Sequence, residues 1–260
     1  MRIKLTDIHT RAPEGLDKKT IKKETRKLAE EIGELQITLM AEERHALLVV
    51  FQGMDASGKD GSMKAALPYC NPIGLKATSF KKPTEIEMHH DFLWRIHQHA
   101  PARGMIHVFN RSHYEDILIQ RVNNWIDEDQ VQRRMKYINQ FEELLRDENN
   151  TTILKFYLHI SREEQRNELW ERIEEREKNW KHKAADWEEA SKWDEYRDAY
   201  EYAINQSRIP WNIIPADQAW YRNFLVAKTV RDTLAGLDMV RPVLSEKDIL
   251  TMREIYGGAP

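Results

Sequence analysis

The chain has one cysteine, Cys70, in 260 residues. A lone thiol excludes an internal disulfide framework and fits a reducing compartment. No apolar run approaches the ~20 residues that span a bilayer. The opening stretch, MRIKLTDIHTRAPEGLDKK, lacks the apolar core of a signal peptide. A cytoplasmic protein that does not enter a membrane is therefore expected. Neither sign of charge is in excess, since 40 basic and 43 acidic side chains leave a net charge of −3. A dedicated nucleic-acid binder is normally basic overall, so no nucleic-acid partner is expected, although a local basic channel is still allowed. Internal repeats and low-complexity segments are also missing. The length suits one large α/β domain or two small ones, and a sizeable core in either case.

What is present is an alternation of short apolar runs with amphipathic stretches. An irregular arm precedes a helix from about Thr20, where Ile21, Leu28, Ile32, Leu35 and Leu39 recur at helical spacing. Strands are predicted over 45–52 (HALLVVFQ), 75–80, 104–110, 151–160 and 211–217, with helices between them. One of those helices is expected over 84–100, and a closing helix from about Asp217 to Ala235. Ser161 and Glu164 have the spacing of a capping box. This order implies a parallel five-stranded sheet covered on both faces. The segment 172–202 is charged and aromatic, with Trp180, Trp187 and Trp193 among its charges and little core stripe of its own. It is read as a mobile lid.

Between the first strand and its helix lies GMDASGKDG, residues Gly53 to Gly61. It matches G-x-x-x-x-G-K, whose backbone N–H groups and lysine hold phosphates, but Asp60 stands where Ser or Thr normally serves the metal. Asp55, inside the loop, would repel phosphates unaided. A magnesium ion resolves that conflict, because it takes carboxylate and phosphate oxygens together. Asp55 is equally suited to orienting an attacking oxygen. Asp60 fits the first turn of the helix, where the dipole favours an anion.

The third strand runs into FNRSHYED, with Asn110 at its end and then Arg111, a permanently charged fork suited to phosphate oxygens. Glu115 and Asp116 return a carboxylate one turn later. Further cations are Lys81, Lys82, Arg95, Lys178 and Lys181, with Arg172 and Arg176 four apart on one helix face. Individually these read as solvated surface charges, and together as an anion path. His97 and His99, two apart on a helix, point roughly 200° apart and cannot share an ion. The histidines are read as hydrogen-bonded or exposed.

GMDASGKDG, SFKKP, DFLWRIHQHAPARG, FNRSHYED, KFYLHIS, EKNWK and IPAD, in this order over about residues 45–225, resemble the polyphosphate kinase 2 family. FNRSHYED looks most like its class III subgroup. The resemblance implies one P-loop kinase domain over 1–260, with an arm and helix over about 1–44 and a helical lid over about 172–202. It implies transfer of phosphoryl groups from inorganic polyphosphate to AMP and ADP, giving ADP and ATP. It also implies a need for Mg²⁺ or Mn²⁺ and a homodimeric or homotetrameric assembly.

By position, Asp55 and Lys59 take the catalytic loop roles, with Asp55 as metal ligand, Arg111 clamps phosphate, and Arg172 is the lid arginine. Gly53, Ala56, Ser57, Gly58, Lys59, Asp60 and Gly61, with Lys81, Lys82 and Arg95, are assigned to polyphosphate. Asn110, Arg111, Glu115, Arg172 and Lys181 are assigned to nucleotide. Two departures stand out: Arg176 occupies a place where proline is frequent, and NQSRIPWNIIPAD is short. Rival readings are an ATP-dependent nucleoside monophosphate kinase, which would carry Ser or Thr after the loop lysine, and a non-catalytic nucleotide sensor.

Overall fold

In the computed structural model, which describes residues 2–257, helices and strands alternate from α1 (Lys18–Glu42) and β1 (Ala46–Gln52) onward. They continue with α2 (Lys59–Ala66), β2 (Leu75–Ser79), α3 (Glu85–Met88), α4 (Trp94–His97), β3 (Ile106–Asn110), α5 (Ile119–Val122) and α6 (Glu128–Asn149). The order then runs β4 (Thr151–His159), α7 (Arg162–Glu174), α8 (Ala184–Ser191), α9 (Trp193–Gln206), β5 (Trp211–Pro215), α10 (Ala219–Ala235) and α11 (Glu246–Tyr256). Met1 and residues 258–260 of the expected 1–260 domain lie outside the described residues.

The five strands form one parallel sheet in the order β2-β3-β1-β4-β5. β1 is central and every residue of it is buried, because both of its faces are covered. Leu47, Val49 and Phe51 join a core with Leu28 and Ile32 of α1 and Val226 and Val230 of α10. Leu48 and Val50 point the other way, onto Phe141 and Leu145 of α6. Burying each such side chain contributes about 1.5–3 kcal/mol. Edge strand β2 is only partly buried. Every strand ends at the same side of the sheet, so the loops after β1, β3 and β4 converge there, as expected for a ligand crevice in an open α/β sheet.

Three expectations need correction. The helix expected over 84–100 is two short helices, α3 and α4. The carboxylate of Asp91 accepts from the backbone N–H groups of Leu93 and Trp94 at 2.9 and 3.1 Å, which restarts the chain as a new N-terminus. Arg172 and Arg176 do not share a helix face, because Glu175 is extended (ψ 110°) and ends α7 between them. The lid segment does carry a core stripe in its last third: Trp193, Tyr196, Ala199 and Tyr200 of α9 are buried in the main core. The Ser161 cap is half as expected. Its hydroxyl accepts from the Glu164 N–H at 3.1 Å, but its own N–H is taken by Asp217 at 2.7 Å. The amphipathic α11, exposed along its length, has no counterpart in the sequence reading.

Candidate active site

β1 delivers the chain to Gly53 at the crevice, and the loop 53–58 turns back to start α2 at Lys59. Ala56 (φ 65°) and Gly58 (φ 87°) are left-handed on either side of Ser57, a curl that gathers successive N–H groups into an anion-binding concavity. Gly53 is required sterically, since a Cβ there would meet Ser57 Oγ at 2.7 Å and the Leu158 carbonyl at 2.8 Å. Lys59 Nζ lies inside the curl and donates to the carbonyls of Gly53 (2.7 Å) and Met54 (3.1 Å). Burial lowers its pKa to about 8, with Asp55 opposing the shift.

The loop after β3 supplies the second wall. Arg111 has φ 61° and its N–H donates to the Phe51 carbonyl at 3.0 Å, tying it to the end of β1. This non-glycine left-handed residue costs about 1 kcal/mol or more, and the strain aims its guanidinium at the loop. Nη2 donates to Asp55 Oδ1 at 2.5 Å, and Nη1 lies 3.6 Å from Glu115. Glu115 and Asp55 both raise the Arg111 pKa, so it stays charged. Burial would raise Asp55, but the charges of Arg111 and Lys59 outweigh it and hold the carboxylate at about 2. Asn110 Nδ2 donates to Asp60 Oδ1. Asp60 lies in the first turn of α2, as its placement at a helix start requires.

A cleft of about 330 Å³ is lined by Asp55, Ala56, Gly58, Lys59, Asp60, Gly61, Asn110, Arg111, Arg172, Lys178 and Lys181, together with Ser79 and Glu168. Arg172 is held by Asp186 of α8 at 2.7 Å. Lys178 is shared between Glu171 (2.6 Å) and Glu175 (2.8 Å). Most of the residues marked from sequence thus meet in one place, on the loop, the end of β3 and the start of the lid segment.

Others do not. Lys81 and Lys82 are exposed beyond β2 and do not line the cleft. Arg95 is buried away from it, donating to the Lys81 carbonyl at 2.8 Å and lying 3.7 Å from Asp116. Asp116 therefore turns from the site, and burial pushes it up to about 6. Ser57 is fully buried under the loop rather than in the cleft. Gly53 and Glu115 instead line a small inner pocket of about 20 Å³ with Asp55, Arg111, Gln165, Glu189, Tyr196 and Tyr200.

Sequence reasoning missed several of these neighbours. Gln165 of α7 donates to the Asp55 carbonyl at 3.1 Å. Glu189 of α8 faces Asp55, and burial with the Asp55 charge pushes it up to about 8. A buried network also stands beneath the HYED turn. Lys155 Nζ donates to Glu142 Oε2 (2.6 Å) and Tyr114 Oη (2.7 Å), and Glu142 Oε1 lies 3.2 Å from His113 Nε2. Only the apolar context of Lys155 in KFYLHIS hinted at it.

The polyphosphate kinase 2 family model matches residues 15–242. The chain is 47% identical over 222 residues to an AMP/ADP-polyphosphate phosphotransferase of Meiothermus ruber, covering 83% of each chain. It is 40% identical over 243 residues to an ADP-polyphosphate phosphotransferase of Rhodopseudomonas palustris, covering 86% of this chain and 84% of that one. Among solved structures, polyphosphate kinase 2 from Arthrobacter aurescens TC1 superposes with a TM-score of 0.92 at 36% identity, over 97% of this chain and 92% of the other. With the family model matching residues 15–242 and relatives 47% and 40% identical over most of their length, the chain belongs to the polyphosphate kinase 2 family.

Proposed function

We propose that this chain transfers the terminal phosphoryl group of inorganic polyphosphate to AMP and ADP, giving ADP and ATP, in one P-loop kinase domain. The observation that carries this reading is the convergence of the loop amides, Lys59, Arg111, Arg172 and Lys181 on one cleft. The names of its relatives in Meiothermus ruber and Rhodopseudomonas palustris support the substrates. Phosphoryl transfer asks little covalent chemistry of the protein, so positioned positive charge supplies most of the catalysis. The loop and Lys59 hold the donor phosphates. Arg111, braced between Asp55 and Glu115, lies across the loop where charge develops on the transferred group. Arg172 and Lys181 belong to the segment that closes over the reactants and excludes water, which would otherwise consume the donor.

Asp55 fits a magnesium ligand. Its Oδ2 is buried without a hydrogen-bond donor, and Glu189 faces the same carboxylate. An ionised carboxylate with an unfilled acceptor suits a divalent cation, whose remaining oxygens would come from phosphates. When bound, Mg²⁺ (or Mn²⁺) would be held by Asp55 and would supply neutralisation of phosphate charge. Asn110 and Asp60 hold each other at the rim, so the residue after the loop lysine need not be a ligand.

The deciding assay supplies AMP, polyphosphate and Mg²⁺ with no ATP and follows ADP and ATP with time. Accumulation of ADP, then ATP, is expected. Activity only when ATP is added would replace the reading by an ATP-dependent kinase, and binding without turnover by a sensor. A cytoplasmic site and a homodimer or homotetramer complete the proposal, the latter checked by light scattering. Among the described residues no helix is long and apolar enough to cross a membrane.

A further inference from the structure

Behind the phosphate loop lies an arginine that no sequence motif marks. Arg222, in the first turn of α10, is 7% exposed. Its Nε donates to Ser62 Oγ at 3.0 Å, and its Nη1 to the carbonyls of Ser57 (3.2 Å) and Ala216 (3.4 Å). One side chain thereby joins the loop, α2 and the segment after β5. The guanidinium lies close against both loop glycines. A Cβ on Gly58 would lie 2.1 Å from Arg222 Nη1, and one on Gly61 would lie 3.3 Å from Nη2. Both glycines line the phosphate cleft. The guanidinium and the cleft are thus separated by little more than the loop backbone.

Its charge is also unmatched. Arg95, Arg111 and Arg172 each have a carboxylate within 4.0 Å. Among the described residues none lies that close to Arg222, and Glu168 acts on it only at longer range. A buried guanidinium stays ionised and is unfavourable without a counter-charge. The hydroxyl of Ser62, the amide oxygen of Asn223 (3.3 Å from Nε) and the carbonyls of Ser57 and Ala216 solvate it but do not neutralise it.

We propose that Arg222 is a positioning residue for the phosphate donor: it braces the loop from behind, and its unpaired charge adds to the field of the loop amides and Lys59 at bound phosphate. This rests on the reading of the cleft as a polyphosphate site.

The test separates brace from charge. Arg222→Lys keeps the charge and loses the fork, whereas Arg222→Met removes both. Magnesium tripolyphosphate binding is measured by calorimetry on the full chain, with thermal melting as the fold control and the KM for AMP in parallel. The Met variant is expected to bind about ten-fold more weakly and the Lys variant within about three-fold of wild type, as for loss and retention of a field at the anion. The KM for AMP should stay within about two-fold in both. A folded Met variant with wild-type affinity overturns the proposal, as does a Lys variant no better than Met. If the Met variant does not fold, Arg222→Gln, which keeps hydrogen-bond donors without the charge, takes its place, a ten-fold loss supporting the role and wild-type affinity ending it. Wild-type protein that fails to bind tripolyphosphate would overturn the phosphate-site reading instead.

Discussion

Arg111 carries more constraints than any other residue at the site: a left-handed backbone, a hydrogen bond to the end of β1 and carboxylates on both sides. Arg111→Ala or Lys59→Ala should lower turnover by at least ~10² with the melting temperature little changed, because each removes a charge-stabilising group. Near-normal ATP formation by either folded variant would refute the assignment. Lys59 also predicts a pH dependence. Burial has lowered its pKa to about 8, so the ammonium is present below that pH and is lost as pH rises through it. The ratio kcat/KM for polyphosphate should therefore fall on the alkaline side of about pH 8, a limb that Lys59→Arg moves upward. Profiles of both proteins between pH 6.5 and 9.5 check this, and a shared limb would assign the titration to another group.

Among the elements, the turn after β3 illustrates how a motif is held. FNRSHYED was legible as chemistry through Asn110, Arg111 and Glu115. The role of His113 and Tyr114 was not, because their partners Glu142 and Lys155 lie 29 and 41 residues away. Both partners are fully buried. Replacing one member of such a pair strands a charge, at a cost of about 3–5 kcal/mol. Lys155→Met should lose stability on that scale in urea unfolding, and adding Glu142→Gln should recover part of it. A loss below ~1 kcal/mol would show the pair to be dispensable. The break between α3 and α4 was within reach of sequence, since Asp91 followed by an apolar pair is an N-terminal signal. It was masked by the helical spacing of Ile86, Phe92, Leu93 and Ile96 on either side.

At the scale of the whole molecule, the sheet order brings three loops to one side and leaves the segment after α7 to cover them. Arg172 reaches Asp186, Trp170 meets Trp187 edge-on at 5.1 Å, and Glu189 faces Asp55. Arg176, Lys181 and Lys183 are exposed between these anchors, so trypsin should cut there first. Magnesium tripolyphosphate with AMP should slow that cleavage several-fold if closure orders the segment, and Asp186→Ala should speed it. Equal cutting rates with and without substrate would mean that the segment does not close.

The sequence by itself determined the parallel sheet, the phosphate loop and the cations nearest to it. These depend on local signals: apolar runs ending on glycine, N–H groups in series, and charged residues one or two positions past a strand end. Tertiary structure alone decided which of the distant cations belong. Arg95 was claimed by Asp116 and the Lys81 carbonyl, Arg172 by the cleft, and Arg222 by the underside of the loop. A charge carries the same sequence signal in each setting. Whether it faces phosphate, a carboxylate or a carbonyl is set by contacts between residues far apart in the chain. In GMDASGKDG this is most visible at Gly58, which needs a left-handed backbone for the loop and must also leave room for Arg222 behind it.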